Sequence, residues 1–559
     1  MRKICSFLLL LIITVVLGYC TFSNIFSEKI VFEGFGKYVS MSSSDEIKDI
    51  VTEEEIETLQ ITVVGKSDFY FDVGEYRELT MEEADKIQTL RREAGSSYFK
   101  DFNKKLYESM PQYNYKNVYV SKYFPQIVVD VNSEDVLSRK SNLLNDLASI
   151  DMVDKVYVQN KIQKQEYLAH AFDLMNVTDE ICDGTLTGYG VKVGVLDVGI
   201  IDVNNTNFED INVETRDAWY YIETVSDHAT TMASCIGGKE GIAREAMIYS
   251  VEGAGNASSE LDWLIDNGVN VVNCSYGYGD ENGIYSSHSA TYDYMIWTYG
   301  ISVIAASGNE KSNETDYLMP NPALTHNAIT VGGAHTYSLP WSGFCYQEVT
   351  EVDKPTLINA ANNIQTANAT RTGSGTSYSC ALTTGCAALL MEQCPNLKVY
   401  PAKLTAILCA GTYPLSANYD LTSGLSDRVG CGTVDFKNSR EAVGNIAHTR
   451  TLSSDEEGDY LIHHEVPVMA GQTITVAASW LGKSNDSVDS WQLTNYVLCL
   501  FRPTGAQVEV QYSLYNNVLL IRHEAEQTGQ YEILLIQEGD LAFTDPTYIF
   551  ISYYVWPES

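Results

Sequence analysis

Positive charge is scarce in this chain. Its 559 residues carry 36 Lys and Arg against 73 Asp and Glu, a formal net charge of −37. A surface so acidic repels phosphate backbones and anionic lipid heads, which argues against nucleic-acid binding. Beyond the first twenty residues no apolar run is long enough to span a bilayer. No Cys-x-x-Cys pair occurs, and two of the 12 cysteines fall in the first twenty residues. Cys235, Cys274, Cys380, Cys386 and Cys409 lie inside apolar runs, where a free thiol behaves as a small hydrophobe. One or two bridges are compatible with that distribution, but a disulfide scaffold is not. A His-Glu-x-x-His zinc motif is missing too, since His464-Glu465 and His523-Glu524 only begin one and both sit in strand patterns. Gly482-Lys-Ser lacks the first glycine of a phosphate loop, Ala477 standing in its place.

What is present is apolar substance. Hydrophobic residues make up 45% and aromatics 11%, enough for large cores and too much for wholesale disorder. The length suits two to four domains. Arg2 and Lys3 precede an apolar core from Phe7 to Gly18, the length of a signal-peptide core and short for a membrane span. Gly18 and Cys20 supply small residues for a cut after Cys20. The expectation is a secreted or extracellular protein with a signal peptide at 1–20; an uncleaved N-terminal anchor is the alternative.

The rest divides by pattern. Residues 21–60 are a polar, acidic linker, with seven acidic residues between Asp45 and Glu57. From 61 to 164 the pattern is mixed: strands at Gln126–Val131 and Val153–Val158 flank a helix opened by Ser133 and running to Ile150. From 165 to 447 short apolar strands alternate with helices, which implies a mainly parallel sheet covered on both faces. The strands are expected at Val191–Leu196, Met247–Val251, Val269–Asn273, Ser302–Ala306 and Ala328–Val331, with helices at Ser259–Asn267 and Ser377–Gln393. From 448 to 559 the period becomes two. Seven strand-like runs, the first Tyr460–Val468 and the last Tyr548–Val555, predict a β-sandwich domain.

Four polar residues fall where such a fold places chemistry. Asp197 ends the strand VKVGVL and Asn309 follows SVIAA, both at carboxyl edges of a parallel sheet. His228 precedes the small-residue helix ATTMASCIGG. Ser377 opens a helix, among unpaired N–H groups and the positive end of the dipole. Taken singly, each is most simply a cap, a turn residue or a structural histidine. Together, in the order Asp, His, Asn, Ser, they form a pattern.

The stretches VGVLDVGIID, DHATTMASCIGG, VNVVNCSYG, VIAASGNE and GTSYSCALTTGCAALL resemble the subtilisin-like serine peptidases. The spacing agrees, with 31 residues from Asp197 to His228 and 68 from Asn309 to Ser377. The resemblance implies Ser377 as nucleophile, His228 as general base, Asp197 as its orienting acid and Asn309 in the oxyanion hole. It also implies that Ser275, Tyr276 and Gly277 pair with the substrate backbone, and that Ala306 and Glu310 border the pocket before the cut. By the same resemblance 61–164 is an inhibitory propeptide, cut from the peptidase near 160–166. Ala229, Thr231, Tyr378 and Ala381 depart from the family's usual residues around the His and the Ser. The Asn-rich calcium loop of many relatives is missing, so no metal and no cofactor are expected.

The resulting expectation is an α/β, three-layer subtilisin-like domain between a small α+β propeptide and a C-terminal β-sandwich of unknown ligand. Peptide or protein substrates and its own propeptide would be its partners. A catalytically silent binding protein on the same scaffold is the competing reading.

Overall fold

The structure is a computed structural model. It describes residues 58–413 and 424–557, apart from 75, 114, 116–117, 133–142, 160–173, 178–183, 217–223, 254–256, 278–282, 310–317, 337–338, 347–352, 363, 365–372, 451–459 and 486–490; of 30–34, 37–40, 58–60, 132, 157–159, 257, 336, 339 and 460 it describes the backbone alone. The expected signal peptide, the cut at 160–166, Glu310 and the first part of the helix from Ser133 lie outside the described residues. The chain forms two compact units, one of residues 1–68 and 96–161 and one of residues 69–95 and 162–559.

The first unit is built on strands β1 (Ile30–Gly34), β2 (Lys37–Ser40), β3 (Thr58–Gly65), β4 (Val118–Val120), β5 (Gln126–Asn132) and β6 (Val153–Gln159). They lie in the order β2-β1-β6-β3-β5-β4. Alternation decides which face is covered: Ile61 and Val63 of β3 point with Ile127, Val129 and Val131 of β5 into one core. Helix α1 (Met81–Ser109) contributes Leu106 to that core, and helix α2 (Leu143–Ala148) contributes Leu143, Leu144 and Leu147. The expected 61–164 segment is therefore divided, because 69–95, including the first half of α1, belongs to the other unit.

The second unit holds an eight-stranded sheet. Its strands are β7 (Lys192–Asp197), β8 (Val213–Arg216), β9 (Met247–Glu252), β10 (Val271–Cys274), β11 (Ser302–Ala306), β12 (Ile329–Thr336), β13 (Leu339–Pro340) and β14 (Leu357–Ala360). The order is β13-β12-β11-β10-β7-β9-β8, with β14 also on β12, and every pairing but β12–β13 is parallel. Strands β10 and β11 are buried along their whole length, which is why each reads as a short, mainly apolar run. Around the sheet lie helices α3 (Asp227–Ile236), α4 (Ala257–Asp266), α5 (Ser287–Tyr299), α6 (Thr376–Gln393), α7 (Pro401–Gly411) and α8 (Phe436–Ala442). Strand order reverses between β7 and β10, since the chain leaves β7 for β8 and β9 on one side and returns to β10 on the other. At such a reversal, at the carboxyl ends of the two central strands, open α/β sheets place their ligand crevice.

The C-terminal part adds two antiparallel four-stranded sheets. One is β15 (Ile446–Arg450), β22 (Tyr548–Val555), β17 (Thr473–Ser479) and β20 (Val518–Glu524); the other is β16 (Tyr460–Val468), β21 (Gly529–Glu538), β18 (Asn495–Phe501) and β19 (Gln507–Tyr512). One core joins them, with Ile474, Val476 and Ala478 of β17 beside Leu498, Leu500, Ile533 and Leu535. The opposite face of the first sheet is covered as well, so Ala477 and Leu520 belong to the same core as Leu404 and Leu408 of α7. Cover on both sides explains why β17 is buried on both faces whereas β19 is half exposed.

Candidate active site

The carboxyl end of β7 sets the first group. Asp197 is wholly buried, and its Oδ1 accepts from the Val198 N–H at 2.7 Å and meets His228 Nδ1 at 2.7 Å. Two residues on, Gly199 has φ +134°, and a Cβ there would stand 2.6 Å from the Thr224 carbonyl oxygen. Only glycine fits that turn, which brings Ile200 beside Val225 and fixes where the next helix begins. Ser226 then caps α3, its Oγ accepting from the Ala229 N–H at 3.3 Å. His228 therefore sits in the first turn of a helix whose start is tied to the Asp197 strand.

The other half of the site is the N-terminus of α6. The Ser377 hydroxyl donates to the Ser275 carbonyl at 3.2 Å, and the Ser275 hydroxyl donates to the Ser377 carbonyl at 2.8 Å. Asn273 supports this from β10: its Nδ2 donates to Ser275 Oγ at 2.9 Å, and its Oδ1 accepts from Thr384 Oγ1 at 3.3 Å and faces Cys380 Sγ at 3.1 Å. Burial pushes the Cys380 thiol up to about 12, so it acts here as a neutral packing group. The ring of Tyr378, the residue after Ser377, lies 6.4 Å from that of His228. Solvent exposure rises from 0% at Asp197 through 3% at His228 to 6% at Ser377, so the acid is the member farthest from water.

Asn309, just past β11, faces the same turn. Its Oδ1 accepts from the Thr376 N–H at 2.9 Å and from Thr376 Oγ1 at 3.2 Å, while Thr376 Oγ1 accepts from the Gly308 N–H at 3.1 Å. With the amide oxygen held, Nδ2 is the end left to donate elsewhere. Sequence reasoning missed Thr376, Asn273 and Ser226. Thr376 lies inside the Gly-Ser-Gly-Thr-Ser stretch, but nothing local shows that its hydroxyl reaches Asn309, 67 residues away.

The expected substrate residues divide. Gly277 is half-buried and borders Pro320, and Ala306 is buried at the end of β11. Ser275 spends its hydroxyl on Asn273 and Ser377. Tyr276 turns its side chain inward, where its hydroxyl meets His288 Nε2 and the Tyr292 hydroxyl, each at 2.8 Å, on α5. Desolvation pushes His288 down to about 3, so the imidazole is neutral at ordinary pH. Tyr276 thus offers only its backbone outward. Outside this site, and among the described residues, His463, Glu465 and Glu532 have ligand atoms within 4.8 Å of one another on the surface of β16 and β21.

Residues 188–432 match the Subtilase family. Over 168 residues the chain is 33% identical to Subtilisin Savinase of Lederbergia lenta, covering 26% of this chain and 56% of that protein. It is equally similar to the Alkaline protease of Shouchella clausii, of which 40% is covered. The chain thus spans about half of these relatives' length. Among solved structures, fervidolysin from Fervidobacterium pennivorans, a keratinolytic enzyme related to subtilisin, aligns with 95% of this chain and 79% of its own at 13% identity and TM-score 0.49.

Proposed function

We propose that this chain, whose residues 188–432 belong to the subtilase family of serine peptidases, is an exported serine endopeptidase made as a zymogen. The observation that carries the reading is the buried 2.7 Å contact between Asp197 Oδ1 and His228 Nδ1, next to the α6 N-terminus that bears Ser377. That bond fixes the imidazole with its proton on Nδ1 and its Nε2 as the base. The Ser377 hydroxyl leaves the Ser275 carbonyl, gives its proton to Nε2, and its oxygen attacks the scissile carbonyl. Asp197 stabilises the imidazolium that results. The oxyanion is received by Asn309 Nδ2 and by the Ser377 N–H, one of the donors a helix start leaves unbonded. His228 then protonates the departing amine, and water resolves the acyl-enzyme by the same steps in reverse.

The edge at Ser275–Gly277 would take the substrate as an added strand through its backbone. Residues 1–20 would direct export, the N-terminal sheet would serve as inhibitor until a cut near 160–166, and the two C-terminal sheets would act as a β-sandwich module.

Intact mass and N-terminal sequencing of wild-type protein beside Ser377→Ala test this. Wild-type chain cut near 160–166 with the variant whole supports it. Equal cutting of both, or of neither, refutes self-processing by Ser377. Hydrolysis of denatured protein by wild type and not by the variant separates a peptidase from a silent binding protein.

A further inference from the structure

Residues 69–95 precede the expected cut, yet they are built into the unit that the cut should release. Their extended part crosses both halves of that unit. Both carboxylate oxygens of Asp72 accept from one Arg450 nitrogen, at 2.6 and 2.7 Å, and the Tyr548 hydroxyl donates to the Gly74 carbonyl at 2.6 Å. The Tyr76 ring lies among Tyr400, His448, Tyr548 and Phe550, and its hydroxyl accepts from Lys403 Nζ at 2.9 Å. Asn396, whose side chain is wholly buried, grips the chain from both sides, donating to the Arg77 carbonyl at 2.8 Å and accepting from the Leu79 N–H at 2.9 Å. Leu79 and Ala84 then complete a core with Val399, Ala402, Ala406 and Phe550.

The first half of α1 docks on helix ends. Gln88 Nε2 donates to the Gly300 carbonyl at 3.2 Å and Arg91 to the Val399 carbonyl at 3.2 Å. Lys398 Nζ, itself buried, donates to Asp85 at 2.6 Å. Arg91 stands against Gly300, which closes α5, and Arg92 against Gly268, just past α4. A cation at a helix C-terminus is favourable, and here two consecutive arginines reach two such ends. A side chain at Gly300 or Gly268 would meet those guanidinium groups, so the helix ends are shaped to the segment.

We propose that the N-terminal fragment is not discarded after cleavage but stays seated through residues 69–95, so that the working protein is a non-covalent assembly of two chains. The surface is that of Asn396–Ala406, the C-terminal end of α5 and the β15–β22 edge, and its occupant is this chain's own segment. The proposal rests on the zymogen reading for its biological cut, not for the docking itself.

The test therefore uses an external cut. A full-length Ser377→Ala chain carries, within 161–165, the recognition sequence of an unrelated site-specific protease. After digestion, gel filtration in 0.15 M and 1 M NaCl should return both fragments together at the elution volume of the uncut chain. With Tyr76→Ala and Leu79→Asp added, the fragments should separate, their dissociation constant rising at least about 100-fold, as loss of a buried anchor and a half-buried aromatic one implies. If that variant fails to unfold cooperatively before the cut, Asn396→Ala and Asp72→Ala carry the test, the first weakening retention about 10-fold and the second, at a half-exposed ion pair, about 2- to 5-fold in the lower salt. Separation of the fragments without any substitution overturns the proposal. So does retention unaffected by all of these substitutions, which would place the grip in the N-terminal sheet. Retention in the digested chain, with no self-cutting in wild type, would remove the zymogen reading and leave the docking intact.

Discussion

Replacing Thr376 with valine tests whether the threonine aims the Asn309 amide. The change keeps shape and volume but deletes the hydroxyl that donates to Asn309 Oδ1 at 3.2 Å and accepts from Gly308 N–H at 3.1 Å. The backbone bond from Thr376 N–H to the same oxygen, 2.9 Å, survives, so the amide keeps one of its two anchors. A net hydrogen bond of this kind contributes about 1 kcal/mol. If that is lost only as the oxyanion forms, kcat falls about 5-fold and KM holds. Asn309→Ala removes the donor itself and should cost about 10²–10³ in kcat. The double variant is the decisive case. With no amide left to aim, Thr376→Val should cost nothing further, a coupling of about 1 kcal/mol in the cycle. Steady-state hydrolysis of a peptide anilide, with active sites counted by a burst titrant, gives all four values. An undiminished 5-fold loss in the Asn309→Ala background would show that Thr376 acts through Ser377 or the α6 start, and the reasoning would fail.

His288 predicts a pH dependence. Its folded pKa lies near 3 against 6.5 when free, so the stability it contributes is complete above about 6.5 and is lost as pH falls toward 3. Between pH 7.5 and 5, wild type should lose about 2 kcal/mol relative to His288→Asn in urea unfolding; parallel pH profiles would contradict a buried neutral imidazole. Gly199→Ala should lower stability by about 1–3 kcal/mol, since it sets a Cβ 2.6 Å from the Thr224 oxygen at φ +134°. An unchanged urea midpoint would mean that the turn before α3 is not held as described. Cys380, buried and pushed up to about 12, should resist iodoacetamide at pH 8 in the folded protein and react once unfolded, as peptide mapping will report.

The residues at the crevice were legible because a parallel sheet writes its site locally. Each strand is a short, mainly apolar run, and a polar residue that ends it or closely follows it stands at the carboxyl edge, as Asp197 and Asn309 do. The seven C-terminal strands were legible by their period of two, within two residues at either end. Strand β15 was not, because Ile446–Arg450 has no apolar alternation of its own and exists through its pairing with β22. Tyr276 shows the limit of residue type. An aromatic beside the site suggests a pocket wall, but whether it points out or in depends on His288 and Tyr292, 12 and 16 residues away.

Helix α1 was the largest element left unread, and the reason bears on its role. On its buried side stand Gln88, Arg91 and Asn103, each nearly inaccessible, between Ala84, Phe99 and Leu106. Those polar residues break the apolar stripe that marks an ordinary amphipathic helix. They are buried because their partners are carbonyls: Gly300, Lys398 and Val399 in one unit, and Ser121 and Phe124 in the other. A helix that docks through hydrogen bonds carries little hydrophobic signal, and the acceptors in the second unit lie 212 to 310 residues along the chain. Such a surface loses less than an oily one when it meets water. If the chain is cut as proposed, these hydrogen bonds would therefore set the register of the segment, and the apolar contacts of Tyr76 and Leu79 would supply most of its hold.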